Sequence, residues 1–321
     1  MDLLAEVLAL SDVRGVVGAR IEAGADWGWW WSSATPCASL HAVTAGTAWV
    51  GLPDGQPLQL MPGDVVLMPG GAEHALGSDP AAVARTGPRK FDDWHITGSG
   101  TVLIGTGSAR SRILCADYGH DRTVSTQVLT LLPAVVHLRA GDDPDGSAQD
   151  TVRLLGRELA ALRAATGVVL DRLVDVLLVH VLCAWLASGS TPVPSWLGAL
   201  DDPVVAAAVT KLHEEPARGW TTAALAREVG VSRATLDRRF AAATGESPGA
   251  YLTRWRMDLA ARRLRDTDDS LDQIAASVGY SSGYAFSRAF RRARSQPPGR
   301  FRTTARTGGG PLPAGATTAA V

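Results

Sequence analysis

The chain has 321 residues, 46% of them hydrophobic, with 31 basic and 32 acidic side chains. That apolar content excludes a wholly disordered chain, and the length suits two or three domains. The net charge of −1 conceals a division: residues 218–302 carry sixteen arginines and eight acids, a net +8, which leaves −9 on the rest. Only the basic part is suited to a polyanion.

The first residues, MDLLAEVLALSDVRG, lack the basic start of a secretory signal. Asp171, Arg172, Asp175 and His180 interrupt the longest apolar stretch, which argues against a membrane span. Cys37, Cys115 and Cys183 are odd in number and far apart, which fits neither a disulfide framework nor a zinc site. The expected compartment is the cytoplasm.

Residues 1–10 place Leu3, Leu4, Val7 and Leu8 at helical spacing. From about residue 12 to 130 the pattern changes to short apolar runs, punctuated by glycine, proline and aspartate. Leu52-Pro-Asp-Gly55 reads as a hairpin turn. Many short strands of this kind predict a β-barrel or double-sheet roll. Within them Trp27, Trp29 and Trp31 share one strand face and Trp30 takes the other. One face is expected in the core, while the other is open to a ligand or to the helices that follow.

Residues 140–147 are a polar breaker. Helices follow over Thr151–Thr166 and Leu170–Ala187, the second apolar enough to pack on two surfaces, either within its domain or in a dimer. Residues 188–197 read as a linker. Asp202-Pro203 then opens another helix, with aspartate as the cap and proline in the first turn.

Two helix–glycine–helix units come next. In the first, Thr221 or Thr222 caps a helix with Leu225, Ala226 and Val229 on its apolar face; Gly230 stops it, Ser232 caps a second helix, and Leu236 and Phe240 point inward. The second repeats this about fifty residues later, with Ile274, Ala275, Val278, Gly279, Phe286 and Phe290 in the matching places. One such pattern is weak evidence; two at a fixed offset, both rich in arginine after the turn, point to DNA reading. The helix between them, Tyr251–Arg265, would fix the separation of the two reading helices. Adjacent major-groove segments on one face of B-DNA lie about 34 Å apart.

These residues resemble the C-terminal signature of the AraC/XylS family of transcription regulators. The matching stretches are Ala224–Gly230, Gly245–Leu252, Arg256–Leu264, Ile274–Ser282 and Phe286–Arg292. The resemblance implies a seven-helix domain that binds double-stranded DNA, contact with RNA polymerase, and activation of nearby promoters. By position it assigns base reading to Ala234, Asp237 and Arg238 in the first unit, and to Tyr284, Ser287 and Arg288 in the second. Gly283 has no side chain with which to read. Phosphate contact falls to Ser232, Arg233, Arg239, Ser282, Arg291 and Arg292, with a solvated surface as the alternative for the arginines.

In the front half, Gly63-Asp-Val-Val-Leu-Met-Pro-Gly-Gly-Ala-Glu-His74 is similar to the second motif of the cupin superfamily, whose histidine often ligates a metal. The first motif is incomplete: His41 is present, but Val43 stands where a second histidine is usual. His41 and His74 are therefore weak metal candidates, with His95, His120, Glu73 and Cys37 as possible additions, and no firm cofactor is expected. The other readings are polar groups in a small-molecule pocket, together with Trp29 and Trp31, or hydrogen-bonded structural histidines.

The expected fold is α+β: a cupin-like β-barrel over 1–140, helices for dimerisation over 148–187, a linker over 188–200, an all-α domain with two helix-turn-helix motifs over 201–302, and a disordered tail over 303–321. The expected function is that of a non-enzymatic, effector-responsive, homodimeric DNA-binding regulator, an activator by resemblance. The alternatives are a cupin-type metal-dependent enzyme with an accessory DNA-binding domain, and a constitutive DNA-binding protein whose barrel is purely structural.

Overall fold

The computed structural model describes residues 3–308, apart from 12, 32–36, 53–54, 88–93, 97–100, 120–128, 162, 189–196, 198 and 200–201. The chain divides into two compact units. One comprises the described residues of 13–120 and 132–190. The other comprises those of 1–12, 121–131 and 191–310.

The first unit is built on two sheets. Its strands among the described residues are β1 (Arg14–Ala25), β2 (Gly28–Trp31), β3 (Ala38–Ala45), β4 (Ala48–Gly51), β5 (Leu58–Leu60), β6 (Val65–Met68), β7 (His74–Gly77), β8 (Trp94–Ile96), β9 (Thr101–Ile104), β10 (Thr106–Gly119) and β11 (Val136–Leu138). Seven form one sheet in the order β11-β6-β3-β10-β1-β9-β8, and four form the other in the order β2-β7-β4-β5. Every pairing is antiparallel except that of β1 with β9.

The expected closed barrel is not formed. Among the described residues each sheet ends in two edge strands, and no ladder joins one sheet to the other. The reason lies in the corners. After β3, Gly46 takes a φ of +68°, and a Cβ there would stand 2.0 Å from the Arg110 carbonyl oxygen. After β6, Gly71 takes a φ of +65° against the backbone of Cys37. These corners send consecutive strands to opposite sheets, so the sheets stack instead of closing. Their facing sides share a single core that includes Ile21, Trp29, Trp31, Val43, Val50, Leu60, Met68, Leu76, Ile113 and Cys115. The tryptophan alternation holds: Trp27, Trp29 and Trp31 are in this core, and Trp30 is only half-buried on the opposite face.

Four helices accompany these units in their early parts: α1 (Leu3–Ser11), α2 (Pro80–Arg85), α3 (Ser147–Ala160) and α4 (Thr166–Ala187). α3 packs on β3, and α4 on α3 and β1. The acids that interrupt the apolar sequence of α4 have a structural use. Asp175 accepts a hydrogen bond from the Gly15 amide at 2.6 Å, and Asp171 accepts one from Val17 at 3.2 Å. The parallel partner β9 covers β1 only from Arg20 to Ala23, so these carboxylates satisfy amides on the uncovered stretch. Tyr118, fully buried, donates to the Val174 carbonyl at 2.6 Å. The opposite side of α4 exposes Val168, Val169, Val176 and Val179. No helix among the described residues is long and apolar enough to cross a membrane.

The second unit is helical: α5 (Pro203–Glu214), α6 (Thr222–Glu228), α7 (Arg233–Thr244), α8 (Pro248–Asp266), α9 (Leu271–Ser277), α10 (Gly283–Arg294) and α11 (Pro298–Gly308). α11 thus continues through Thr303–Arg306, where the sequence suggests a tail; Arg306 binds back to Asp268 and to the Arg265 carbonyl. The rest of the expected tail lies outside the described residues.

α1 also belongs to this unit. Its Val7 and Leu10 are fully buried, and Glu6 accepts from Nδ1 of His213 at 2.8 Å. His213 accepts in turn from the Tyr251 hydroxyl at 2.9 Å and stacks on Trp255 at 3.6 Å. Burial pushes the His213 imidazole down to about 3, so the ring is neutral at pH 7, and with Nδ1 donating to Glu6 its Nε2 is left to accept.

Candidate nucleic-acid interface and sensor cluster

Both helix–glycine–helix units form as their sequence signals dictate. Thr221 caps α6 by accepting from the Ala224 amide, and Ser232 caps α7 by accepting from Thr235. Gly230 makes the turn between them at a φ of +72°. In the second unit Ser270 and Gln273 form a capping box at α9, Gly279 turns at +78°, and Ser282 caps α10. Leu236 and Phe240 of α7, and Phe286 and Phe290 of α10, are fully buried. α8 runs between the units for 19 residues, about 28 Å at the usual helical rise, with Tyr251, Leu252, Trp255, Met257, Ala260, Ala261 and Leu264 inside.

α7 and α10 therefore each have one face in the core and one face outward. Ser232, Arg233, Ala234 and Arg238 are exposed on α7, with Asp237 half-exposed. Asp237 is 3.6 Å from Arg233, one turn earlier on the same helix. On α10, Ser282, Tyr284, Arg288, Arg291 and Arg292 are exposed and Ser287 is half-exposed. Tyr284, at 74%, is the most exposed large apolar side chain described.

Two arginines near this surface are engaged elsewhere. Arg239 makes a bidentate pair with Asp202, Nε at 2.8 Å and Nη2 at 2.6 Å. Asp202 also caps α5 by accepting from Val204 and Val205. The Arg239 guanidinium, one of the sequence-assigned phosphate contacts, thus ties α7 to α5. Arg294 pairs with the fully buried Asp258 of α8, which fixes the end of α10 to the central helix. Sequence spacing gave no signal for either pair, because the partners lie 37 and 36 residues apart.

The sensor candidates lie on facing strands between the two sheets. His41 of β3 and His74 of β7 are both fully buried, with their Nε2 atoms 2.7 Å apart. Nδ1 of His74 is 2.7 Å from the Ala72 carbonyl, which can only accept, so this nitrogen carries the proton. His74 Nε2 then accepts from His41 Nε2, which leaves His41 Nδ1 as a bare acceptor. That atom is buried and has no partner among the described residues. Trp31 packs edge-on against His41 at 4.9 Å, while Trp29 is core.

Burial holds His74 down at about 4 and His41 well below the usual imidazole range. Asp117 of β10 moves the other way, raised to about 6 by burial, with the Cys37 thiol donating to it at 3.8 Å. Burial also pushes the Cys115 thiol well up. Among the described residues no group of three His, Cys, Asp or Glu side chains is placed to hold a metal ion. Glu73 is exposed beside His74, and the His95 side chain and His120 lie outside the described residues.

Comparison with known proteins adds two family matches and several relatives. Residues 2–187 match the Cupin family model, and residues 225–304 match that of a helix-turn-helix domain. A putative AraC-like transcription regulator of Streptomyces lividans is 36% identical over 94% of this chain and 98% of its own. A protein of the same description from Streptomyces antibioticus is also 36% identical, with the same coverage. The transcriptional regulator AlkR of Acinetobacter baylyi is 30% identical over 82% of this chain and 86% of its own.

Proposed function

Since the chain belongs to the AraC/XylS-type transcriptional regulators, with a cupin-like N-terminal part and a C-terminal helix-turn-helix part, we propose that α7 and α10 enter successive major-groove segments of one operator. The protein is a sequence-specific DNA-binding regulator and not an enzyme. The observation that carries the two-groove reading is the pair of capped, outward-facing helices held apart by α8. Ala234, Asp237 and Arg238 read bases in the first segment, and Tyr284, Ser287 and Arg288 in the second. Ser232, Arg233, Ser282, Arg291 and Arg292 meet phosphates, while Arg239 serves the α5–α7 junction.

The sensor reading rests on the buried polar cluster. A small-molecule effector that donates a hydrogen bond would satisfy His41 Nδ1, with Trp31 supplying an aromatic wall. The apolar outer stripe of α4 supports a homodimer, and the junction between sensor and reader falls within residues 188–200. Activation through RNA polymerase follows from the family resemblance.

The test is selection of DNA from a random pool by the full chain, followed by footprinting. Two protected segments about one helical turn apart are expected. A single short footprint would overturn the two-helix reading. A promoter fusion bearing the selected site separates activation from repression.

A further inference from the structure

The two reading units differ at one point that their shared motif does not explain. From cap to turn they match at an offset of 49, pairing Ser270 with Thr221 and Gly279 with Gly230; from the second cap onward the offset is 50, pairing Ser282 with Ser232 and Phe286 with Leu236. The second turn therefore holds one extra residue. An extra residue would let α10 start farther from its supporting helix. The structure prevents this with Asp272, whose counterpart in the first unit is Ala223.

Asp272 lies in the first turn of α9, and its carboxylate accepts from the amide of Gly283, the first residue of α10, at 2.8 Å. The approach is close: a Cβ on Gly283 would stand 2.8 Å from the Asp272 oxygen and 3.4 Å from the Leu271 carbonyl carbon. Glycine at 283, oddly silent for a reading helix, is what lets the carboxylate in. One negative charge is thus shared by the positive ends of two helices. In α7 the corresponding Arg233 amide has no acceptor among the described residues.

We propose that Asp272 is a positioning residue for DNA recognition: it pins the start of α10 against α9, and its charge opposes the DNA backbone at that point. The inference rests on the reading that α10 enters the groove. A phosphate approaching the start of α10 meets a carboxylate where the first unit offers bare amides. The second helix then gains less from backbone contact and depends more on base contacts by Tyr284, Ser287 and Arg288. The pin holds those side chains in register.

Full-length wild type, Asp272→Asn, Asp272→Ala and Arg288→Ala with Arg291→Ala are compared by anisotropy on a random-sequence duplex and on the duplex selected by the wild type, across a salt series. Asp142→Asn, an exposed acid of the other unit, controls for overall charge. Asparagine keeps the acceptor and loses the charge. It is expected to tighten both duplexes about three- to sevenfold at low salt, the Coulomb effect of one charge about 7 Å from a phosphate in a watery interface, fading as salt rises. Alanine is expected to tighten the random duplex similarly but to lose about fivefold or more in discrimination, as for one disturbed base contact. The inference fails if Asp272→Asn binds random DNA no more tightly than Asp142→Asn, or if alanine discriminates as well as asparagine. If the double arginine variant binds both duplexes like wild type, α10 does not meet DNA and the underlying reading falls with it. If that variant binds weakly while the Asp272 variants behave like wild type, only the role of Asp272 falls.

Discussion

Acid should act on the buried cluster of His41, His74 and Asp117 in two opposed ways, and single substitutions should separate them. His74 is held at about 4 against an ordinary value of 6.5. Its unfolded form binds a proton that the folded form resists, so its contribution to stability is complete above 6.5 and lost as pH falls. Between pH 7 and 5 this costs about 2 kcal/mol, at roughly 1.4 kcal/mol per unit of difference. Asp117 is raised to about 6 from 3.8. Its folded form takes up a proton first, and stability gained there appears as pH falls through 6, reaching about 1 kcal/mol at pH 5. His41, also lowered, adds to the loss. The Asp117→Asn variant should therefore lose about 1 kcal/mol more than wild type over this interval, and His74→Gln about 2 kcal/mol less. Hydrogen exchange of peptides covering residues 38–45 and 74–77, corrected for intrinsic rates, reads this unit without interference from the other. Equal pH slopes in wild type and both variants would refute the assignment of these shifts to burial in the folded state.

Four further outcomes follow from particular residues. Arg238→Ala should relax base preference at one operator position, whereas Arg291→Ala or Arg292→Ala should weaken all duplexes evenly and flatten the salt dependence; binding curves across salt and sequence distinguish them. Arg239→Ala should leave that salt dependence near wild type and instead lower the unfolding temperature, because its partner is Asp202. Gly15→Ala should destabilise the two-sheet unit by about 1–3 kcal/mol, since its Cβ would meet the Tyr118 ring at 2.6 Å and Val174 at 2.9 Å; denaturant titration gives the shift. Val176→Glu should shift the protein towards monomer in light scattering at matched concentration, without loss of helix signal, if the outer face of α4 is the seam.

The reader was legible because its signals are local. Caps at Asp202, Thr221 and Ser232, stops at Gly230 and Gly279, and inward pairs four residues apart all act within one or two turns. The alternating tryptophans were legible for the same reason. Closure of the sheets was not, because whether a last strand meets a first depends on every corner between them. Asp171 and Asp175 looked like interruptions of a greasy helix; their purpose lies on β1, more than 150 residues earlier. The histidine pair was identifiable as a candidate, but the missing partner of His41 Nδ1 is a property of packing and has no sequence mark.

The place of α1 also sets an order of events. Glu6 precedes His213 by 207 residues, so α1 leaves the ribosome long before α5 and α8 exist to receive it. At 5–20 residues per second, Val7 and Leu10 wait roughly 10–40 s for the surface that buries them. The strands of both sheets are made during that wait. The contact between α1 and α5 therefore closes across 207 residues, and a fragment that starts at the linker would carry His213 without Glu6 as its partner.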